Sequence, residues 1–345
     1  MAFSRHAYER MIDDTQLERL GTFAEHDWFE CEGRGIDRAN GDPAVSAALA
    51  ERIGDYDGLI VCYGAPRIDG PMLDRAKRLK IVGELEGDRF AARIDLEAAW
   101  ERGARTVDTT NASSYPVAEW ALGLILISLR NIGAQFRRVI AGQPRDMTPT
   151  PYRGVLRGRR VGLIGCGNMG RRLIRYLKPF DVEIWVYDPY LPPEMADALD
   201  FTQTSLDNVL SQCDVIVCVA PLTPATRGMI GQREIELIRP GSAFVNVSRG
   251  AIVDSEALIA RLKRNDITAG LEVWDPEPIP EESEIRRLPN AFVTPHTAAL
   301  RGEDEQNEFF ALMVDEFDRF FHGHETKFDL TPRSRANRTG SKPVS

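Results

Sequence analysis

Cysteine is scarce in this 345-residue chain: Cys31, Cys62, Cys166, Cys213 and Cys218 are odd in number and show no CxxC spacing. That pattern argues against a disulfide framework or a cysteine-ligated zinc site and leaves buried, reduced thiols as the expectation. Long hydrophobic runs are missing too. The most apolar stretch, Ala121–Leu129, is about half of the ~20 residues that a bilayer span needs. The opening Met1-Ala-Phe-Ser-Arg-His has no apolar segment of the kind a secretory signal carries. Positive charge is not in excess, since 43 Lys and Arg against 52 Asp and Glu leave a net charge of −9. A surface of that sign is poorly suited to nucleic acid. These absences predict a soluble, cytoplasmic protein with no membrane or nucleic-acid partner and no metal site. Histidine is also rare: His6, His26, His322 and His324 lie near the ends, so His296 stands alone between residues 27 and 321.

What is present is an ordinary globular composition, 43% apolar and 28% charged, in a chain long enough for two domains. Residues 59–63 and 80–83 are short β-like runs, and 43–53, 70–78 and 95–102 are helical patterns, together predicting a parallel α/β layer. Ser113 and Ser114 offer helix-capping hydroxyls, Pro116 suits a first turn and Glu119 suits the positive helix end. Apolar residues then run from Val117 to about Ile140, which predicts one long helix buried between layers or against another subunit. After the proline-rich connection 142–151, six strands are expected at 160–164, 182–187, 214–220, 242–247, 268–273 and 291–294. Helices fit between most of them, including one over 254–264 with Asp254 as its N-cap, and the series makes a doubly wound sheet. The polar, basic stretch 331–345 reads as a disordered tail.

The first strand of that second series runs into Gly165-Cys-Gly167-Asn-Met-Gly170, a G-x-G-x-x-G turn with a strand before it and a helix after it. Gly165 permits the tight turn, Gly167 lets the backbone approach a pyrophosphate, and Gly170 lets the helix pack on the strand. Cys166, Asn168 and Met169 complete this candidate cofactor loop. Asp188, eighteen residues past Gly170, ends the next strand, where a carboxylate can hold ribose hydroxyls and repel a 2′-phosphate. No Lys or Arg follows in 189–193, which favours NAD over NADP.

Three charged side chains follow predicted strands of the same sheet: Arg249 in Val-Ser-Arg-Gly, Glu277 in Trp-Asp-Pro-Glu-Pro, and His296 in Val-Thr-Pro-His. Residues at such strand ends point into the ligand crevice. A guanidinium there can bind a substrate carboxylate bidentately and polarise the adjacent carbonyl. A carboxylate bonded to His296 would fix its tautomer and hold a proton ready for ketone reduction.

With these residues in place, the chain resembles the D-isomer-specific 2-hydroxyacid dehydrogenase family, which includes phosphoglycerate, glycerate and formate dehydrogenases. The matching segments are 220–228, 239–250, 273–278 and 288–296, with Asp95-Leu-Glu-Ala-Ala and Val117-Ala-Glu119 upstream. The resemblance implies an Arg249–Glu277–His296 catalytic trio and a Rossmann NAD-binding domain, 113–296, inserted into a flavodoxin-like substrate domain, 1–112 with 297–330. It also implies a homodimer through the nucleotide domain, and cofactor contacts from Ala220, Pro221, Thr226, Val247, Ser248, Glu272 and His296. The implied reaction interconverts a small 2-oxo acid and a D-2-hydroxy acid. Two other readings accompany it, an NAD(H)-sensing corepressor-like binding protein and a dehydrogenase of a small anion such as phosphite. Against formate itself, formate enzymes carry glutamine where Glu277 stands.

The substrate loop departs from the family. It usually reads G-V-G-x-D-N-I-D, with backbone N–H groups holding the substrate carboxylate. Here residues 84–95 are longer and charged, which reads either as drift in a lengthened surface loop or as Glu86 or Arg89 meeting an unusual head group. Tyr63, Gly64, Glu86 and Gly87, with Arg249, are the candidate substrate contacts. Glu272 stands for the family's aspartate, one methylene longer and close to the expected nicotinamide position, and Trp120 replaces a frequent histidine.

Overall fold

The structure, a computed structural model, describes residues 1–31, 42–87, 90–144, 154–299 and 308–339. Among these residues the strands, in chain order, are β1 (Ala2–Phe3), β2 (Phe29–Glu30), β3 (Gly58–Val61), β4 (Ile81–Glu84), β5 (Arg105–Asp108), β6 (Arg160–Ile164) and β7 (Glu183–Tyr187). They continue with β8 (Thr202–Gln203), β9 (Val215–Cys218), β10 (Ala243–Asn246), β11 (Thr268–Leu271), β12 (Ala291–Val293) and β13 (Asp329–Leu330). By contacts the chain divides into two units, Met1–Ser113 with Gly302–Asn337, and Ser114–Arg301.

In the first unit the sheet order is β13-β5-β4-β3-β1-β2, parallel except where β13 meets β5. Its first five strands have the flavodoxin-like order 2-1-3-4-5. Aspartates start the intervening helices: Asp69 accepts the Met72 N–H at 3.0 Å and Asp95 the Ala98 N–H at 3.1 Å. Each satisfies a backbone donor that the first helical turn leaves unpaired.

In the second unit all seven strands are parallel, in the order β12-β11-β10-β9-β6-β7-β8. The order reverses between β6 and β9, the point at which a doubly wound sheet opens a ligand crevice at its strand ends. Because both faces are covered, β9 and β10 are buried at every position. The fold is therefore α/β, a Rossmann-type doubly wound sheet and a smaller flavodoxin-like sheet on one chain. Asp254 caps its helix as expected, accepting the Ala257 N–H at 3.0 Å.

Two expectations need correction. The single helix through Ile140 is broken: Ser114–Leu129 ends, Asn131 takes a left-handed φ of 47°, and Ile132–Ile140 begins. Asparagine tolerates that conformation, so it ends one helix and starts another. The helical stretch Thr110–Leu129 is long and apolar enough to cross a membrane, but half of it is buried, and Ser114–Leu129 places Val117, Ala118, Ala121, Leu124 and Ile125 in the core of the second unit. The second helix leaves Ile132, Phe136, Val139 and Ile140 exposed by 44%, 62%, 70% and 73%. The other correction concerns the tail, since Pro332–Thr339 is helical. Thr331 and Ser334 cap it reciprocally, each hydroxyl accepting the other's N–H at 3.0 and 2.7 Å, and proline suits the first turn. Residues 340–345 lie outside the described residues.

All five cysteines are buried and unpaired with one another. Burial pushes Cys31, Cys62, Cys213 and Cys218 up to about 12, which keeps them as thiols.

Candidate active site

The strand-to-helix turn after β6 is built around a backbone that no side chain could share. Gly165 has φ of +95°, and a Cβ on it would lie 2.8 Å from the Cα of Ala220 across the crevice. Gly167 is the N-cap of the helix Asn168–Leu177 and supplies no capping side chain, so the first-turn N–H groups keep room for an anion. The side chains of Cys166 and Met169 point into the core, so at these positions only the backbone faces the turn. The Cys166 N–H donates to Asp188 Oδ2 at 2.9 Å, and the Tyr190 N–H to Oδ1 at 3.0 Å. Two donors thus hold Asp188 at the end of β7, with further lone pairs on each oxygen for two adjacent hydroxyls. A pyrophosphate on the glycine turn and a ribose on Asp188 fit these residues.

The other candidate cofactor residues divide by what their groups already do. Ala220 and Val247 are buried in the strand ends, and the Ser248 hydroxyl donates to the Ala220 carbonyl. Thr226 uses its hydroxyl within its own turn, donating to the Pro221 carbonyl at 2.6 Å and accepting the Thr223 N–H at 2.8 Å. Glu272, 1% exposed, accepts from the Trp120 indole N–H at 2.7 Å, from the Thr294 hydroxyl and from the Ala298 N–H.

Arg249, Glu277 and His296 come together at the ends of β10, β11 and β12. Glu277 Oε2 meets His296 Nδ1 at 2.8 Å, and Oε1 accepts the Trp274 N–H at 3.0 Å. Burial acts to raise the Glu277 carboxyl, but the His296 and Trp274 hydrogen bonds and the charges of His296 and Arg249 outweigh it. The group is held below the usual glutamate range. With Nδ1 on the carboxylate, Nε2 is the ring nitrogen left to exchange a proton with a ligand. His296 has φ of +56°, and its N–H donates to the Glu272 carbonyl at 3.1 Å.

Gly250 explains why Arg249 lies beside this pair. A Cβ there would fall 1.9 Å from the Trp274 backbone, so only glycine lets the end of β10 approach the segment carrying Glu277. Asn246 braces the same corner, accepting the Ser248 N–H at 3.0 Å and donating to the Arg249 carbonyl at 3.1 Å. Asn246 was not among the expected site residues; its signal is a lone amide inside an apolar strand.

The candidate substrate residues Tyr63, Gly64, Glu86 and Gly87 lie in the first unit, at the ends of β3 and β4. Their loop rests on a fully buried ion pair between Glu84 and Arg93, both 0% exposed. Glu84 also accepts the Arg93 N–H at 2.8 Å, and burial pushes it up to about 7 against the pull of that guanidinium. Arg93 lies over the Tyr63 ring, 5.1 Å from its centroid. Burial, then the Glu86 charge and the hydrogen bond that Tyr63 makes to it, raise the phenol. The Gly87 N–H donates to the Thr110 hydroxyl at 2.9 Å, and the Ala91 N–H to Asp108 at 2.8 Å. The lengthened loop is therefore anchored from within by buried charge. Arg89 lies outside the described residues.

Residues 122–298 match the family described as D-isomer specific 2-hydroxyacid dehydrogenase, NAD binding domain. D-3-phosphoglycerate dehydrogenase of Methanocaldococcus jannaschii is 32% identical over 278 residues, 80% of this chain. The chain spans about half of that relative's length, 52%. The mitochondrial formate dehydrogenase of Hordeum vulgare is 31% identical over 310 residues, 88% of this chain and 81% of that protein. In fold, the apo D-mandelate dehydrogenase of Rhodotorula graminis superimposes with a TM-score of 0.77 at 22% identity, covering 92% of this chain and 94% of that one.

Proposed function

The chain belongs to the D-isomer-specific 2-hydroxyacid dehydrogenase family, and from that premise we propose that it interconverts a 2-oxo acid and a D-2-hydroxy acid with NAD. NAD(H), when bound, supplies or takes up the hydride at C2. The glycine turn Gly165–Gly170 and Asp188 would hold its pyrophosphate and ribose. Arg249 binds the substrate carboxylate with its planar fork and polarises the neighbouring carbonyl. His296 Nε2 donates the proton to the carbonyl oxygen in reduction and takes it back in oxidation. Glu277 fixes the ring through Nδ1 and stabilises its charged form.

The observation that carries this reading is the 2.8 Å bond between His296 and Glu277, with Glu277 itself anchored on the Trp274 N–H. That bond gives an otherwise solitary histidine an orienting partner. The test is to offer NADH with a series of 2-oxo acids and follow its oxidation. Turnover should fall about 10²–10⁴-fold in His296→Ala, the usual contribution of a positioned acid–base group, with NADH binding retained. Full turnover in that variant would remove His296 from the scheme.

We also propose that the protein is a homodimer. Ile132, Phe136, Val139 and Ile140 form one exposed apolar face on their helix. Apolar residues grouped on one helix face mark an association surface, and family resemblance points to a second copy as its partner.

A further inference from the structure

Two side chains outside the reaction scheme meet in the second unit. Trp120 lies on the helix Ser114–Leu129, and Glu272 follows β11. Each departs from what the family resemblance implies, and the structure joins them through the 2.7 Å bond from the indole N–H to Glu272 Oε2.

We propose that Trp120 and Glu272 form a clamp that positions His296, and that Glu272 serves this clamp instead of the cofactor. Around a single glutamate, the alternate residues of the turn that carries His296 are all bonded. The Thr294 hydroxyl donates to Oε2 and the Ala298 N–H to Oε1, while the His296 N–H donates to the Glu272 carbonyl at 3.1 Å. The Glu272 N–H is itself held by the Asn246 carbonyl at 3.0 Å, which ties the clamp to β10, the strand that leads to Arg249.

The chemistry of the donors explains the residue types. A carboxylate only accepts, so it suits three converging donors, whereas an amide would place an N–H against one of them. Indole N–H only donates. The left-handed φ of His296 is a conformation that persists only where its surroundings over-determine it, and these bonds supply that constraint. Glu272 is 1% exposed, with two donors on Oε2 and one on Oε1, so its burial withholds it from a cofactor and its bonds all serve the protein.

The inference rests on His296 as the acid–base group, so its test includes measurements that need no turnover. Trp120→Phe and Thr294→Val each remove one donor and leave the carboxylate in place. In the apoprotein, amide exchange over residues 294–298 should accelerate about tenfold, as expected from losing one hydrogen bond to a charged group. NADH affinity, read by fluorescence titration, should stay within about twofold, because no cofactor contact is lost. Turnover number should fall about tenfold or more with little change in KM for NADH, since a misplaced acid affects the chemical step. If NADH affinity drops about tenfold while exchange is unchanged, Glu272 is a cofactor ligand and the proposal is wrong. If exchange and turnover both keep their wild-type values, Trp120 only packs, and the proposal is equally wrong. Should Trp120→Phe fail to fold, Thr294→Val carries the same readings. An acid–base reading that failed would appear separately, as full activity in His296→Ala, and would leave the exchange result standing.

Discussion

Glu277 has a fixed donor on each carboxylate oxygen, and that arrangement gives the site a distinct pH signature. The folded carboxyl titrates below the ordinary glutamate value. Its contribution to stability is therefore complete above that ordinary value and is lost as pH falls through the lowered one. The difference in melting temperature between wild type and Glu277→Gln should accordingly be constant above about pH 5 and shrink below about pH 4. Thermal unfolding across that range checks it, and a difference that persists undiminished into acid would show that the carboxylate is not the stabilising species. At this scale the sequence already pointed to much of the site. Arg249, Glu277 and His296 each follow an apolar strand, and G-x-G-x-x-G announces its own turn. Glu272 was legible only as a departure, because its role depends on donors from Trp120, Thr294 and Ala298, far apart along the chain or across a turn. Thr226 shows what sequence alone leaves open: its hydroxyl has a use in a cofactor site and one inside its own turn, where it bonds Thr223 and Pro221.

Strand ends, not whole strands, carry the chemistry, and two glycines set how closely those ends approach. At Gly165 an alanine would meet both the positive φ and the Ala220 backbone. Gly165→Ala should therefore lower stability by about 1–3 kcal/mol and weaken NADH binding about tenfold or more, as read by unfolding and fluorescence titration. Gly250→Ala should act differently, since its Cβ would overlap the Trp274 backbone and displace the Glu277 segment. Turnover should collapse with NADH affinity retained, and a variant losing both would show that the two corners are not independent. The six strands expected in the second unit all occur; β9 and β10 are the plainest, because a parallel strand buried on both faces reads as an uninterrupted apolar run. β5 was not legible: Arg105-Thr-Val-Asp looks polar, yet Thr106 is buried with its hydroxyl on the Leu330 carbonyl, a partner more than two hundred residues away. The helix break at Asn131 escaped for the opposite reason, since apolar periodicity continues across it while the backbone does not.

Across the whole molecule, composition and alternation indicated two α/β sheets, and the strand orders resolve them as Rossmann-type and flavodoxin-like. The strand order itself could not be read from sequence, because it depends on which crossover each helix makes. The exposed face on Ile132–Ile140 adds a prediction at this scale. Light scattering should give the mass of two 38.6 kDa chains for wild type and of one for Phe136→Glu combined with Ile140→Glu. A wild-type monomer would dismiss the proposed dimer. The central claim concerns hydride transfer to C2 of a 2-oxo acid with His296 as proton donor, and one measurement addresses it directly. NADH deuterated at the transferring position of C4 is incubated with the enzyme and a 2-oxo acid, and the product is examined by NMR and chiral separation. The account predicts a D-2-hydroxy acid carrying one deuterium at C2, formed by wild type and nearly absent with His296→Ala. Bound NADH without label in any 2-hydroxy acid, or equal labelling by the variant, would contradict it.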